Sequence, residues 1–260
     1  MTYKSAIIKI VFVLSIMGII YSFSVNYNNN NKPFKEGETL KYALHYGFLY
    51  GGEGTITLSK SVYNDKNVYY SQIYAKTIGL TDKLYKIRDR YESYFDIKTC
   101  LPYKAIRDIR EGGYTKYEEV IFQHSDSAVY DNKGKRHKVP TDILDILSTL
   151  YYVRSLEFDS LAPGDKIDIV TFFDNEIFPF NLRYKGIETV KIKLGKYRCY
   201  RFDPVVEPGR IFKSEDDMQV WISADENLIP VRVRFNLIVG AVKCDLAEYD
   251  KLKYEFKEEE

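Results

Sequence analysis

Apolar and polar side chains alternate residue by residue through most of the chain. From Thr39 onward, Leu40, Tyr42, Leu44, Tyr46 and Phe48 share one face, while Thr39, Lys41, Ala43 and His45 share the other. Phe178, Phe180, Leu182 and Tyr184 repeat the pattern against Asn181, Arg183 and Lys185. So do Ile229, Val231, Val233, Phe235 and Leu237 against Arg232, Arg234 and Asn236. A period of two puts one set of side chains on each face of a pleated strand, which predicts half-buried antiparallel sheet. Turn chemistry separates the runs: Gly51-Gly52, Asn64 to Asn67, Pro102, Gly112-Gly113 and Asp131 to Gly134. Gly51-Gly52 between two alternating runs predicts a hairpin turn. Further strands are expected over residues 53–62, 68–77, 86–95, 103–111, 114–124, 166–173, 187–194, 197–203, 217–223 and 241–249. With these the count reaches about a dozen, at regular spacing, which argues for a mainly β fold: a curled antiparallel meander or open β-barrel that hides its edges.

One segment breaks the alternation. Leu144, Leu147, Leu150, Tyr151 and Arg154 recur at spacings of three and four, which predicts a long mid-chain helix over 143–156. Thr141 is the expected N-cap, and Asp142 suits the positive first turn. A shorter helix or loop is expected at 79–85. Because a barrel of about eight strands is already just filled by its own side chains, a wider curl leaves an interior that the helix or a ligand must occupy. Leu147, Tyr151 and Arg154 are expected to point from the helix toward the concave sheet.

The N-terminus has a different character. Lys4 and Lys9 accompany an apolar stretch over 7–25 with no charge from Ile10 to Ile20. A basic start followed by an apolar run reads as an export signal, cleaved near residues 22–26 or retained as an anchor. The expected organisation is therefore a signal or membrane anchor at 1–25, a polar linker at 26–33 and one β-rich domain at 34–260. Thirty-eight basic against 37 acidic residues give a formal charge of +1, so no field draws the chain to nucleic acid. Export to an oxidising compartment raises the question of disulfides among Cys100, Cys199 and Cys244. In a simple meander Cys199 lies three strands from Cys244, roughly 14 Å away at about 4.8 Å per strand. A bridge needs Cα atoms within about 7 Å, so three free thiols are expected.

Several short motifs, in order, add up to a resemblance. They are Phe34-x-x-Gly37-Glu38-x-Leu40-x-Tyr42 with Tyr46-Gly47 and Gly51-Gly52, then the run Asp142 to Arg154, then Gly164-Asp165, then Trp221-Ile222-Ser223-x-Asp225 with Ile229-Pro230-Val231. Together they resemble the bacterial "domain of unknown function 3108" family over residues 34–249. The resemblance implies an exported, β-rich protein in the periplasm or cell envelope of a Gram-negative bacterium, similar in build to open-barrel carriers of lipids and lipoproteins. It implies no reaction and no cofactor.

The residues themselves point to no enzyme. His45 sits on a polar face, His124 and His137 are isolated, and no His pair stands at ligand spacing. There is no Gly-x-Ser-x-Gly elbow and no phosphate-binding glycine loop. The densest charges, Arg88-Asp89-Arg90 and Arg107-Asp108-Ile109-Arg110, should face each other across a hairpin. They form either a solvated ladder or a polar pocket for an anionic headgroup, where Arg forks serve well. Arg154 at the end of the helix is either a dipole partner or a ligand anchor. Tyr42, Tyr46, Phe48, Phe178, Phe180, Tyr184 and Trp221 either fill a barrel core or line a cavity. The candidate ligand-binding residues are Arg154, Tyr151, Tyr46, Trp221, Arg88 and Arg107. The expected function is a non-catalytic envelope protein that holds a lipid or other apolar or amphipathic ligand. The alternative is a structural or partner-binding envelope protein with a filled core. No nucleic-acid partner is expected, and membrane contact would come through an uncleaved N-terminal segment.

Overall fold

The computed structural model describes residues 27, 31–47, 49–204, 217–236 and 240–259. The apolar N-terminal run, half of the polar linker, Phe48 and Leu237 lie outside the described residues. The strands are β1 (Thr39–Tyr46), β2 (Leu49–Tyr63), β3 (Lys66–Thr77), β4 (Arg88–Asp96), β5 (Pro102–Glu111), β6 (Tyr114–Gln123), β7 (Ala128–Asp131) and β8 (Arg136–Lys138). The series continues with β9 (Lys166–Phe173), β10 (Glu176–Ile192), β11 (Gly195–Pro204), β12 (Met218–Ser223), β13 (Pro230–Asn236) and β14 (Ala241–Asp250). Among the described residues two α-helices interrupt them, α1 (Gly79–Leu84) and α2 (Ile146–Val153), with a short 3-10 turn at His124–Asp126.

All fourteen strands form one antiparallel sheet in the order β8 to β1 followed by β14 to β9. The meander expected from the alternation is therefore present, with the first and last strands paired at its centre. It has two free edges, β8 and β9. The connection between those edges carries α2 and fills the seam. Leu144 N–H donates to Val170 O at 3.0 Å, and Phe172 N–H donates to Leu144 O at 2.7 Å. The Phe172 ring meets His137 at 5.2 Å and Phe122 at 6.4 Å. Arg107 and Lys116 both reach Asp174 across the same seam. The sheet is thus barrel-like but not closed by hydrogen bonds.

Four expectations are corrected. The mid-chain helix has 8 residues rather than the full run to Leu156. Leu144 is buried as a strand-like bridge to Thr171, so its place in the apolar period does not make it helical. Asp145, not Thr141, is the N-cap: its side chain accepts from Leu147 and Ser148 N–H, and Ser148 returns the bond in a capping box. At the far end Leu156 bridges Tyr27. Gly51-Gly52 is not a turn but lies inside β2. Gly47, at a φ of 59°, lies in the turn instead. A Cβ on Gly51 would stand 2.7 Å from Thr81 Oγ1, and one on Gly52 3.0 Å from Lys76 O. These glycines admit close packing rather than a bend. Finally, the two runs 178–185 and 187–194 are one long strand, β10, with a bulge between Tyr184 and Gly186.

Candidate ligand-binding cleft

The helix α2 stands inside the curl and divides the interior. On one face, Tyr151 packs with Phe34, Leu58, Tyr69 and Phe95. Its ring stacks on Phe95 at 5.1 Å and meets Phe34 edge-on at 4.8 Å. Each fully buried side chain of this size stabilises by about 1.5–3 kcal/mol, which fixes the helix against β2, β3 and β4. Ser93 hydrogen-bonds the capping Asp145 at 2.6 Å, and burial raises the Asp145 carboxyl above its ordinary range.

The other face of α2 presents Ile146, Thr149, Leu150 and Val153, spaced as one helical stripe. This stripe lines an open cleft of about 420 Å³. Tyr42, Leu44, Ile56 and Ile73 from β1 to β3 form one wall. Phe180, Leu182, Phe202, Val220, Ile222, Val233 and Phe235 form the other. The helix therefore fills part of the interior with one face and lines the cleft with the other.

Almost nothing polar faces this space. The Tyr42 hydroxyl donates to Pro230 O at 2.9 Å, and burial raises its pKa, so it stays neutral. The Cys244 thiol is pushed up to about 12 by burial. Thr149 is the exception. It is 5% exposed, and its Oγ1 has no hydrogen-bond partner. A buried hydroxyl left unpaired costs about 1–3 kcal/mol.

The cleft has a sealed end and an open one. At the sealed end Arg154, the C-cap of α2, is wholly buried. Its guanidinium forms a two-pronged pair with Glu38, at 2.6 and 2.8 Å. It also donates to Asn227 O at 3.1 and 3.3 Å. Asn227 in turn holds the backbone of Tyr254 and Glu255. Alternation of strand direction places the opposite end at the β1–β2, β5–β6, β9–β10 and β13–β14 connections and at α1. Lining residues near that end, such as Ile146 at 41% exposure, are open to solvent, whereas Val153, Leu182, Phe202 and Ile222 at the floor are buried.

None of the six residues singled out in the sequence lines this cleft. Arg154 belongs to the seal and Tyr151 to the opposite face of α2. Trp221 packs with Val190, Tyr197 and Cys199, donates to Glu188 at 2.9 Å and lies under Arg201. Its neighbours Val220 and Ile222 are the ones that face the cleft. Tyr46 is exposed at the open rim. Arg88 pairs with Asp82 of α1 at 2.7 Å. Arg107 pairs with Glu118 and Asp174 over the Phe173 ring. The expected hairpin is present, with Arg90 opposite Asp108; Arg90 pairs with Glu92 and Asp108, and Arg110 with Asp108. Tyr42 and Phe180 are the members of the aromatic set that do line the cleft. What the sequence reading missed is the stripe of Ile146, Thr149 and Val153 beside Leu150, the one member that its helical period had named. Its signal was the same helical period, read for its other face.

Cys100, Cys199 and Cys244 are free thiols, as the strand spacing required, with Cys199 and Cys244 separated by the consecutive pairings of β11 to β14. Among the described residues no group of three or more His, Cys, Asp and Glu is placed to hold a metal. No helix among them is long and apolar enough to cross a membrane.

Comparison with solved structures gives a likeness to the β-barrel-like protein of domain of unknown function DUF1849 from Brucella abortus. The TM-score is 0.52 at 6% identity, covering 85% of this chain and 98% of that one. A DUF1089 family protein from Pseudomonas aeruginosa gives a TM-score of 0.38 at 10% identity, over 68% and 87% of the two chains. A hypothetical protein from Chlamydia trachomatis gives 0.39 at 8% identity, over 86% and 92%. The first of these shows a shared barrel-like fold and nothing further. No curated protein sequence matches the chain. The family model of DUF3108, a protein family of unknown function, matches residues 41–247. That span takes in the cleft walls, α2 and the seam, and with it the chain belongs to the DUF3108 family.

Proposed function

We propose that this protein is a non-catalytic binding or carrier protein of the bacterial cell envelope that holds an apolar or amphipathic, lipid-like molecule in the cleft beside α2. The observation that carries the reading is the cleft itself. Its volume falls within the roughly 300–1,000 Å³ of small-molecule sites, and such sites are mostly apolar with a few placed polar groups. Thr149 Oγ1 supplies one such group, suited to a hydroxyl or carbonyl on the ligand. The lining offers no nucleophile beside a base and no charged group, so it supports binding rather than reaction. The basic, apolar N-terminal sequence supports placement in the envelope.

The test is binding of a fluorescent polyene fatty acid, cis-parinaric acid, together with native mass spectrometry of the protein from its own host. Saturable probe uptake is expected, with a co-purifying lipid-sized mass. Val233→Trp, which fills the cleft with a larger apolar side chain, should abolish uptake while leaving the circular dichroism spectrum unchanged. A folded Val233→Trp protein that still takes up probe, or a parent that takes up none and carries no extra mass, returns the chain to a structural or partner-binding role.

A further inference from the structure

We infer that the open end of the barrel is a docking surface for a lipid bilayer, so that the cleft meets the membrane mouth-first. The inference rests on the lipid-like reading of the cleft and goes beyond it by naming the surface that meets the source of the ligand.

The large apolar side chains that the fold leaves exposed are not spread evenly. Tyr46, Leu49, Tyr50, Leu80, Leu84 and Tyr85 all stand at the open end, with Leu80 at 70% and Leu84 at 79% exposure. Toward the sealed end the members of this class among the described residues are Val62, Ile187 and Tyr249. The helix α1 is the clearest case, because none of its residues is buried. Its two leucines, four apart, share one outward stripe. The patch is continuous. Ile78 N–H, at the start of α1, donates to Gly51 O at 3.0 Å. Gly51 lies two residues from Leu49 in β2, and Gly52 pairs with Leu44, a lining residue of the cleft. An exposed apolar patch of this kind marks an interaction surface.

Its chemistry selects a bilayer. Leucines that enter the acyl boundary, tyrosines at headgroup level and lysines at the edge make up an interfacial surface. Three of the acids at this end are paired with cations, Asp82 with Arg88, Glu53 with Lys76 and Asp174 with Arg107 and Lys116, and Glu111 shares a hydrogen bond with Asp89, its carboxyl raised by burial and by that neighbour. Lys83 and Lys86 on and beside α1 stand exposed and complement anionic headgroups. An apolar ligand leaving the cleft by this mouth would pass from protein to membrane without crossing water.

The test uses the full chain with an environment-sensitive nitrobenzoxadiazole label on Leu84→Cys, or on Val62→Cys at the sealed end. The native thiols interfere little: Cys100 and Cys199 are buried, and the Cys244 thiol is held near 12, mostly protonated at neutral pH. With vesicles of phosphatidylethanolamine and phosphatidylglycerol, the label at 84 should brighten and shift to the blue, and the label at 62 should not. A label at each site reports its own surroundings, so the N-terminal segment does not confuse the result. In the same assay, with the label moved to Leu49→Cys, Leu80→Glu/Leu84→Glu should weaken the vesicle response by about tenfold or more. That variant should still take up cis-parinaric acid in vesicle-free buffer as the parent does. Loss of uptake would count against the cleft. A silent label at 84, an equal response at 62, or an undiminished response in the double variant would overturn the docking surface.

Discussion

Replacing Glu38 by glutamine tests the sealed end directly. The Arg154 guanidinium is 0% exposed and Glu38 is 1% exposed, so neither charge is served by water. Unit charges about 4 Å apart attract by about 4 kcal/mol at an effective dielectric of about 20. Breaking a buried pair on one side costs about 3–5 kcal/mol, because the surviving charge is left uncompensated. The bonds from Arg154 to Asn227 O would remain, and the oxygen of the introduced amide can accept one more. Neither supplies a negative charge. The expected loss is therefore about 3–5 kcal/mol, a large share of the roughly 5–15 kcal/mol that holds a domain together. Urea unfolding followed by far-ultraviolet circular dichroism would read it as a lowered midpoint at an unchanged slope. The double change Glu38→Leu/Arg154→Met should recover most of the loss, since an apolar pair of similar volume is often neutral relative to a buried ion pair. A loss below about 1 kcal/mol in Glu38→Gln, or a double variant as unstable as the sum of its single changes, would refute the seal as a coupled unit.

Leu147, 1% exposed on α2, should not tolerate charge: Leu147→Asp is expected to destabilise by several kcal/mol in the same urea assay. Thr149→Val removes an unpartnered hydroxyl. It should leave stability equal or raised while weakening a ligand with a polar head by up to about tenfold, the worth of one hydrogen bond, and leaving a purely apolar probe unaffected; parallel titrations with both probes check this. Thiol titration should count three free cysteines after denaturation without reductant. In the native protein at pH 8, Cys199 and Cys244, both pushed up to about 12 by burial, should react far more slowly, since only the thiolate is nucleophilic.

The strands could be read from the sequence because their cause is local. Whether Leu40, Tyr42 and Leu44 share a face depends only on the pleat, and the same holds for the Arg90 and Asp108 hairpin. From consecutive strands followed the meander, and from the meander the separation of Cys199 from Cys244. The limits of α2 were not local. Leu144 fits a helical period, yet its backbone bonds to Val170 and Phe172 of the neighbouring edge strand across the seam, and beyond the other end Leu156 bridges Tyr27. The charge of Arg154 could be read from the sequence, but its partner could not, because Glu38 lies 116 residues away. Trp221 and Ile222 are neighbours in β12, and only the sense in which the sheet curls decides that Ile222 faces the cleft while Trp221 packs with Cys199. The cleft is likewise absent from any one segment. Strands from both halves of the chain and one face of a short helix bound it. Periodicity fixes which side chains share a face. Curvature, register and closure depend on contacts between distant segments, and these decided where the interior is and what was left open in it.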